Sequence, residues 1–151
     1  VCPGKVAAPE FTHDTHDRAT HSIKRPVPFI AMKYISHRGN LMGPFPELEN
    51  RPDYILNALN SGFECECDVW YADHAWWLGH DNPKYEINYL FLFTPGLWIH
   101  AKNMEALEGL KHTNLNYFWH ENDQCTITSH GFVWTSPGCY LFNKSKYRQN
   151  T

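Results

Sequence analysis

The sequence predicts an α/β fold made of βα units around a largely parallel sheet. Three observations point there. Short runs rich in aromatic and β-branched residues alternate with runs of helical period between residues 32 and 138. The 151 residues amount to one domain rather than two. A hydrophobic content of 42%, with aromatics at 15%, is enough for a packed core.

Taken in order, Tyr34-Ile-Ser reads as a first strand ending at His37-Arg38-Gly39, and a polar loop runs from Asn40 to Asn50. A helix follows, with Asn50 as the cap candidate, Pro52 and Asp53 in the first turn, Ile55, Leu56 and Leu59 on one face, and Gly62 as the stop. Phe63 to Trp70 is a second strand, and Trp76 to Gly79 a short extended piece after a turn. Tyr85 to Phe93 reads as helical, closed by Pro95-Gly96. Leu97 to Ala101 is a third strand, and Met104 to Leu110 a helix with Leu107 and Leu110 inward. Tyr117 to His120 is a fourth strand, and Thr126–Thr128 with Phe132–Trp134 closes the ordered part. Residues 1–31 hold four prolines and His13, His16 and His21 without any period, so they read as a flexible leader ahead of a natural start at Met32. Residues 139–151 read as a polar tail.

Composition excludes several classes. A formal net charge of −3 argues against a general nucleic-acid binder, which needs a basic surface. No apolar run approaches the roughly 18–20 residues that span a bilayer, so stable membrane insertion is not expected. Five cysteines at irregular spacing read as free thiols of a reducing, cytoplasmic setting. No Gly-x-Ser-x-Gly elbow, phosphate loop or dinucleotide fingerprint is present.

The chemistry lies elsewhere. Side chains alternate along the Phe63–Trp70 strand, so Glu64, Glu66 and Asp68 share one face and Cys65, Cys67 and Val69 the other. Carboxylates on one face of an inner strand need compensation, which either a solvated edge or, in preference, a hard divalent cation, Mg²⁺ or Ca²⁺, would supply. His37, His80, His100 and His120 fall at or near successive strand ends, where parallel α/β folds build their sites. Imidazoles there suit proton transfer near neutral pH. Arg38 and Lys102 add cations, Lys102 either as a phosphate contact or as the partner of a carboxylate, and His120 is a supporting residue. The set matches the needs of an anionic phosphodiester.

The series His37-Arg38-Gly39, Glu49-Asn50, Glu66-Cys67-Asp68-Val69 and Gly79-His80-Asp81 resembles the glycerophosphodiester phosphodiesterase family in its short bacterial or phage-like versions. The likeness is specific from Tyr34 to Lys102 and looser to Gly138. It implies a TIM-type (β/α) barrel, here short or incomplete, since the stretch after residue 31 is about half the roughly 250 residues of a full barrel. An incomplete barrel admits an oligomer. The likeness also implies divalent-metal hydrolysis of a small glycerophosphodiester, with His37 and His80 as the acid/base pair, Glu66 and Asp68 as metal ligands, Arg38 on the phosphate and Glu49 in support. One departure stands out: His100-Ala-Lys102 replaces the family's Glu-x-Lys, so the third ligand would be a histidine, which favours softer metals. Two alternatives stay open. One is a degenerate barrel that binds phosphate esters or glycans without turnover, with Trp76-Trp77 near the mouth; the other is a phospholipase-type lyase that forms a cyclic phosphate.

Overall fold

The computed structural model describes residues 33–135. The leader expected over 1–31, with its three histidines, and the tail expected over 139–151 lie outside those residues.

The centre of the fold is the longest strand, β2 (Glu64–Ala72), after β1 (Ile35–His37) and helix α1 (Pro52–Asn60). One edge of β2 takes β5 (Leu97–Ala101) in parallel, with Glu66 opposite Trp98 and Asp68 opposite His100. The other edge is shared. Its first half pairs in parallel with β1, and its second half pairs antiparallel with β3 (Ala75–Leu78). Strand β4 (Tyr85–Ile87) then extends β3 antiparallel, and β6 (Tyr117–Phe118) follows β5 in parallel after helix α2 (Met104–Leu110). The result is a mixed six-stranded sheet. A separate antiparallel ribbon is formed by β7 (Cys125–Ile127) and β8 (Val133–Thr135).

The expected barrel of alternating strands and helices is therefore wrong, and the residues after β2 show why. A parallel barrel needs a helical crossover behind each strand. Here Asp73 and His74 adopt φ of 51° and 63°, and two consecutive left-handed residues make the tight turn whose twist suits an antiparallel hairpin. The chain reverses at once, setting Tyr71 opposite Trp76. The helix expected over Tyr85–Phe93 is also absent. Tyr85–Ile87 joins the sheet, and the Asn88 side chain accepts the Leu90 N–H at 2.8 Å, starting a short 3₁₀ helix over Tyr89–Phe93. Two α-helices remain among the described residues, α1 and α2, both within a residue or two of their expected limits.

Both helices cover the same face of the sheet. Ile55 and Ala58 of α1 and Ala106 and Leu110 of α2 close over Cys65, Cys67, Val69, Ile99 and Ala101 to form the apolar core. On the opposite face, Trp98 and Phe118 meet Phe132 and Trp134 of the β7–β8 ribbon, with ring centroids 4.8–5.7 Å apart. The charged residues of β2 lie on this second face, and the site is built there.

Candidate functional site

Register alone brings the first residues together. His37 on β1 stands beside Glu66 on β2, with Nε2 3.6 Å from Glu66 Oε2, and Asp68 stands beside His100 on β5. Glu66 is 2% exposed and Asp68 fully buried, so both charges have lost their water. Glu64, on the same face, is not part of the group. It pairs with Lys33 at 2.5 Å and accepts the Trp98 indole N–H at 2.6 Å.

Asp68 is held by four neighbours. Its Oδ2 accepts from Asn50 Nδ2 at 2.9 Å and lies 2.8 Å from Arg38 Nε; its Oδ1 lies 3.0 Å from His100 Nδ1 and 3.5 Å from Lys102 Nζ. Burial alone would raise its pKa, yet the His100 imidazole, the Arg38 charge, the Asn50 amide and Lys102 hold it well below the ordinary carboxylate range. Glu66 goes the other way, pushed well up by burial and by the adjacent Asp68 charge. Asn50, expected as a helix cap, is instead a buried clamp. Its φ is 61°, its Oδ1 accepts the Asp68 N–H at 2.9 Å, and Arg51 takes the cap position without a side-chain cap bond. Arg38 also adopts a left-handed φ of 56°, and its NH1 donates to Glu49 Oε2 at 3.0 Å while Asn40 holds the other Glu49 oxygen at 2.8 Å. Glu49 thus acts on the site through Arg38.

His100 decides what the group can hold. Its Nε2 lies 3.2 Å from the His120 carbonyl oxygen, which can only accept, so Nε2 carries the hydrogen. Its Nδ1 lies 3.0 Å from Asp68 Oδ1 and 3.9 Å from Glu66 Oε1; carrying a hydrogen it donates to Asp68, and without one it offers a lone pair to an ion held by the carboxylates. Nδ1 and the two carboxylates converge in a buried site where a proton on the ring or a metal ion can stand among them, beside the Arg38 and Lys102 charges. Glu66, Asp68 and His100 each offer one ligand atom within 4.8 Å of the others, and Glu66 Oε2 and Asp68 Oδ1 receive no well-directed hydrogen bond. The group can therefore hold a metal ion. His120 stacks on His100, with centroids 4.6 Å apart and planes 2° from parallel, which fixes that ring's tilt.

A cavity of about 580 Å³ opens above the group. His37, Arg38, Glu66, His80, His100, Lys102 and His120 all line it, while Asp68 and Glu49 do not. His80 arrives through Gly79, whose N–H donates to the Asp68 carbonyl at 3.1 Å and whose φ is 153°; a Cβ there would stand 2.1 Å from the Asn82 carbonyl oxygen. The His80 Nδ1 lies 2.7 Å from Asp81 Oδ1, so Nδ1–H donates and Nε2 is free. Burial and the neighbouring Arg38 charge hold the His37 imidazole below its ordinary pKa. Burial, His100 and Lys102 do the same for His120.

The tryptophans are exchanged relative to expectation. Trp76 lies in another groove, and the Trp77 indole donates to the Ala72 carbonyl at 3.1 Å. Trp119 and Trp134 line the histidine cavity instead. Their spacing carries no signal, because Trp134 reaches the site only through the β7–β8 ribbon. No protein-family model, curated protein or solved structure matches this chain. No helix among the described residues is long and apolar enough to cross a membrane.

Proposed function

We propose that the chain is a metal-assisted phosphodiesterase, hydrolysing a glycerophosphodiester-type substrate to a phosphomonoester and an alcohol. The observation that supports it most is the His100 ring, whose Nδ1 faces two buried carboxylates beneath a cavity lined by three further histidines. Glu66, Asp68 and His100 would hold a divalent ion, Mg²⁺ or Ca²⁺ by the two carboxylates, although the imidazole widens the choice toward softer metals. When bound, the ion supplies Lewis-acid stabilisation of charge on the phosphoryl oxygens.

The protein's own groups do the rest. His37, neutral at pH 7 because burial and Arg38 oppose its protonation, takes the proton of the attacking water. As the new O–P bond forms and the ester P–O bond breaks, His80, entering the step with a proton on Nε2 as well as the Nδ1–H held by Asp81, delivers the Nε2 proton to the leaving alcohol oxygen. Arg38 and Lys102 offset the developing phosphoryl charge, and both also neutralise Asp68.

The test is hydrolysis of a glycerophosphodiester with and without EDTA, run beside His37→Ala and followed by phosphorus NMR. Metal-dependent release of a phosphomonoester, lost in the variant, supports the proposal. Binding without turnover overturns it in favour of a non-catalytic phosphate-ester binder, and a cyclic phosphate product overturns it in favour of a lyase.

A further inference from the structure

A second groove, of about 740 Å³, shares no lining residue with the histidine cavity. Its wall is aromatic. Tyr71 and Trp76 are cross-strand partners with ring centroids 4.9 Å apart, and Tyr89 lies 5.6 Å from Trp76. Gly109 on α2 admits the indole, since a Cβ there would stand 2.8 Å from Trp76 Cη2. Asn103 steadies the wall by bonding both the N–H and the carbonyl of Tyr71, at 3.1 and 2.8 Å.

Its rim is acidic. Glu105 and Glu108 line the groove one helical turn apart, and no Lys, Arg or His does. Lys111 pairs with Glu108, while Glu105 has no ion-pair partner among the described residues. Three aromatic rings, electron-rich on their faces, therefore share one opening with two carboxylates.

We propose that this groove binds a small soluble quaternary ammonium compound, its methylated nitrogen held against Tyr71, Trp76 and Tyr89, with Glu105 and Glu108 supplying the charge. A quaternary nitrogen has no N–H to satisfy and spreads its charge over methyl groups that pack on rings. A primary ammonium is strongly hydrated and needs directed acceptors, which a wall of aromatic rings does not offer. The volume falls within the range of small-molecule sites. This inference stands apart from the phosphodiesterase reading and does not depend on it.

Calorimetric titration of the full chain with choline chloride tests it, against its uncharged carbon isostere 3,3-dimethyl-1-butanol and against ammonium chloride at equal ionic strength. Choline is expected to bind saturably and about tenfold more tightly than either control. Tyr89→Leu, at a position 39% exposed and so tolerant of change, should weaken choline about tenfold. Glu105→Gln should weaken it about threefold and leave the melting curve unchanged. Equal affinity for the uncharged isostere overturns the proposal, as does unchanged choline affinity in both folded variants. Binding to phosphatidylcholine vesicles without binding to free choline also overturns it, in favour of a membrane surface.

Discussion

On one face of β2, Cys65, Cys67 and Val69 pack against both helices with no exposed surface; on the other, Glu66 and Asp68 are almost as deeply buried among Arg38, Asn50, His100 and Lys102. Burial on the first face is favourable by itself, at about 25 cal/mol per Å² of apolar area removed from water. Burial on the second is costly and is offset where Asp68 meets Arg38, Lys102 and the Asn50 amide. A single strand thus carries a face that stabilises the fold and a face that the fold must support. The histidines are the exposed margin of the supported face: the side chains of His37 and His80 are 56% and 43% exposed.

That contrast is broken most sharply at the margin. Replacing His37 or His80 by Ala should lower the rate of diester hydrolysis by about 10²–10⁴-fold, the usual worth of a general acid or base. Neither change should move the thermal midpoint. A kcat measurement beside a melting curve checks both statements.

Next is the buried pair. Asp68→Ala removes the partner of Arg38, Lys102 and Asn50 and should destabilise the fold by about 3–5 kcal/mol, the cost of leaving buried charge unpaired. Cys67→Ala, at equal depth on the other face, removes one sulfur atom and should cost only about 1 kcal/mol. Denaturant unfolding of the two variants side by side gives the difference, and equal losses would mean that the two faces are not held as described.

Metal addition sharpens the same point. Because burial and Asp68 push the Glu66 carboxyl pKa up, Glu66 must release a proton before it can act as a ligand. The rise in melting temperature on adding Mg²⁺ or Ca²⁺ should therefore be larger at pH 8 than at pH 5.5. A rise that is equal at both values, or larger at the lower, would count against Glu66 as a ligand.

The smallest effect belongs to the apolar face. Burial pushes the Cys65 thiol from 9.0 up to about 11. In the unfolded chain the thiol ionises first, so folding stability falls as pH rises from the unfolded value through the folded one, and is intact below it. At pH 8 Cys65 and Cys67 should resist a thiol reagent in the native protein, whereas exposed Cys125 should react. Peptide mapping after labelling reads this directly.

Strand period alone separated Glu66 and Asp68 from Cys65, Cys67 and Val69, since a two-residue repeat puts alternate side chains on opposite faces whatever the surroundings. Local signals likewise marked α1 and α2: Pro52 and Asp53 open the first, and the spacing of Leu107 and Leu110 marked the second, whose Asn103 cap, accepting from Ala106 at 3.1 Å, only the structure shows. Other features were not legible because they depend on partners distant in sequence. Asp73 and His74 carry no glycine to announce a left-handed turn, and Asn50 serves as a cap or as a carboxylate clamp according to whether Asp68 lies beside it.

Local residues determined, from the sequence by itself, which side chains could do proton and metal chemistry and which face of β2 would carry them, because alternation and side-chain chemistry travel with the residue. Tertiary structure alone decided that the sheet is mixed and open to hairpin pairing. It also decided that the His100 Nδ1 faces the carboxylates and that Trp134, rather than Trp76, meets the cavity. Each of those outcomes is a contact between segments far apart in the chain, whose energy exists only once the chain has closed on itself.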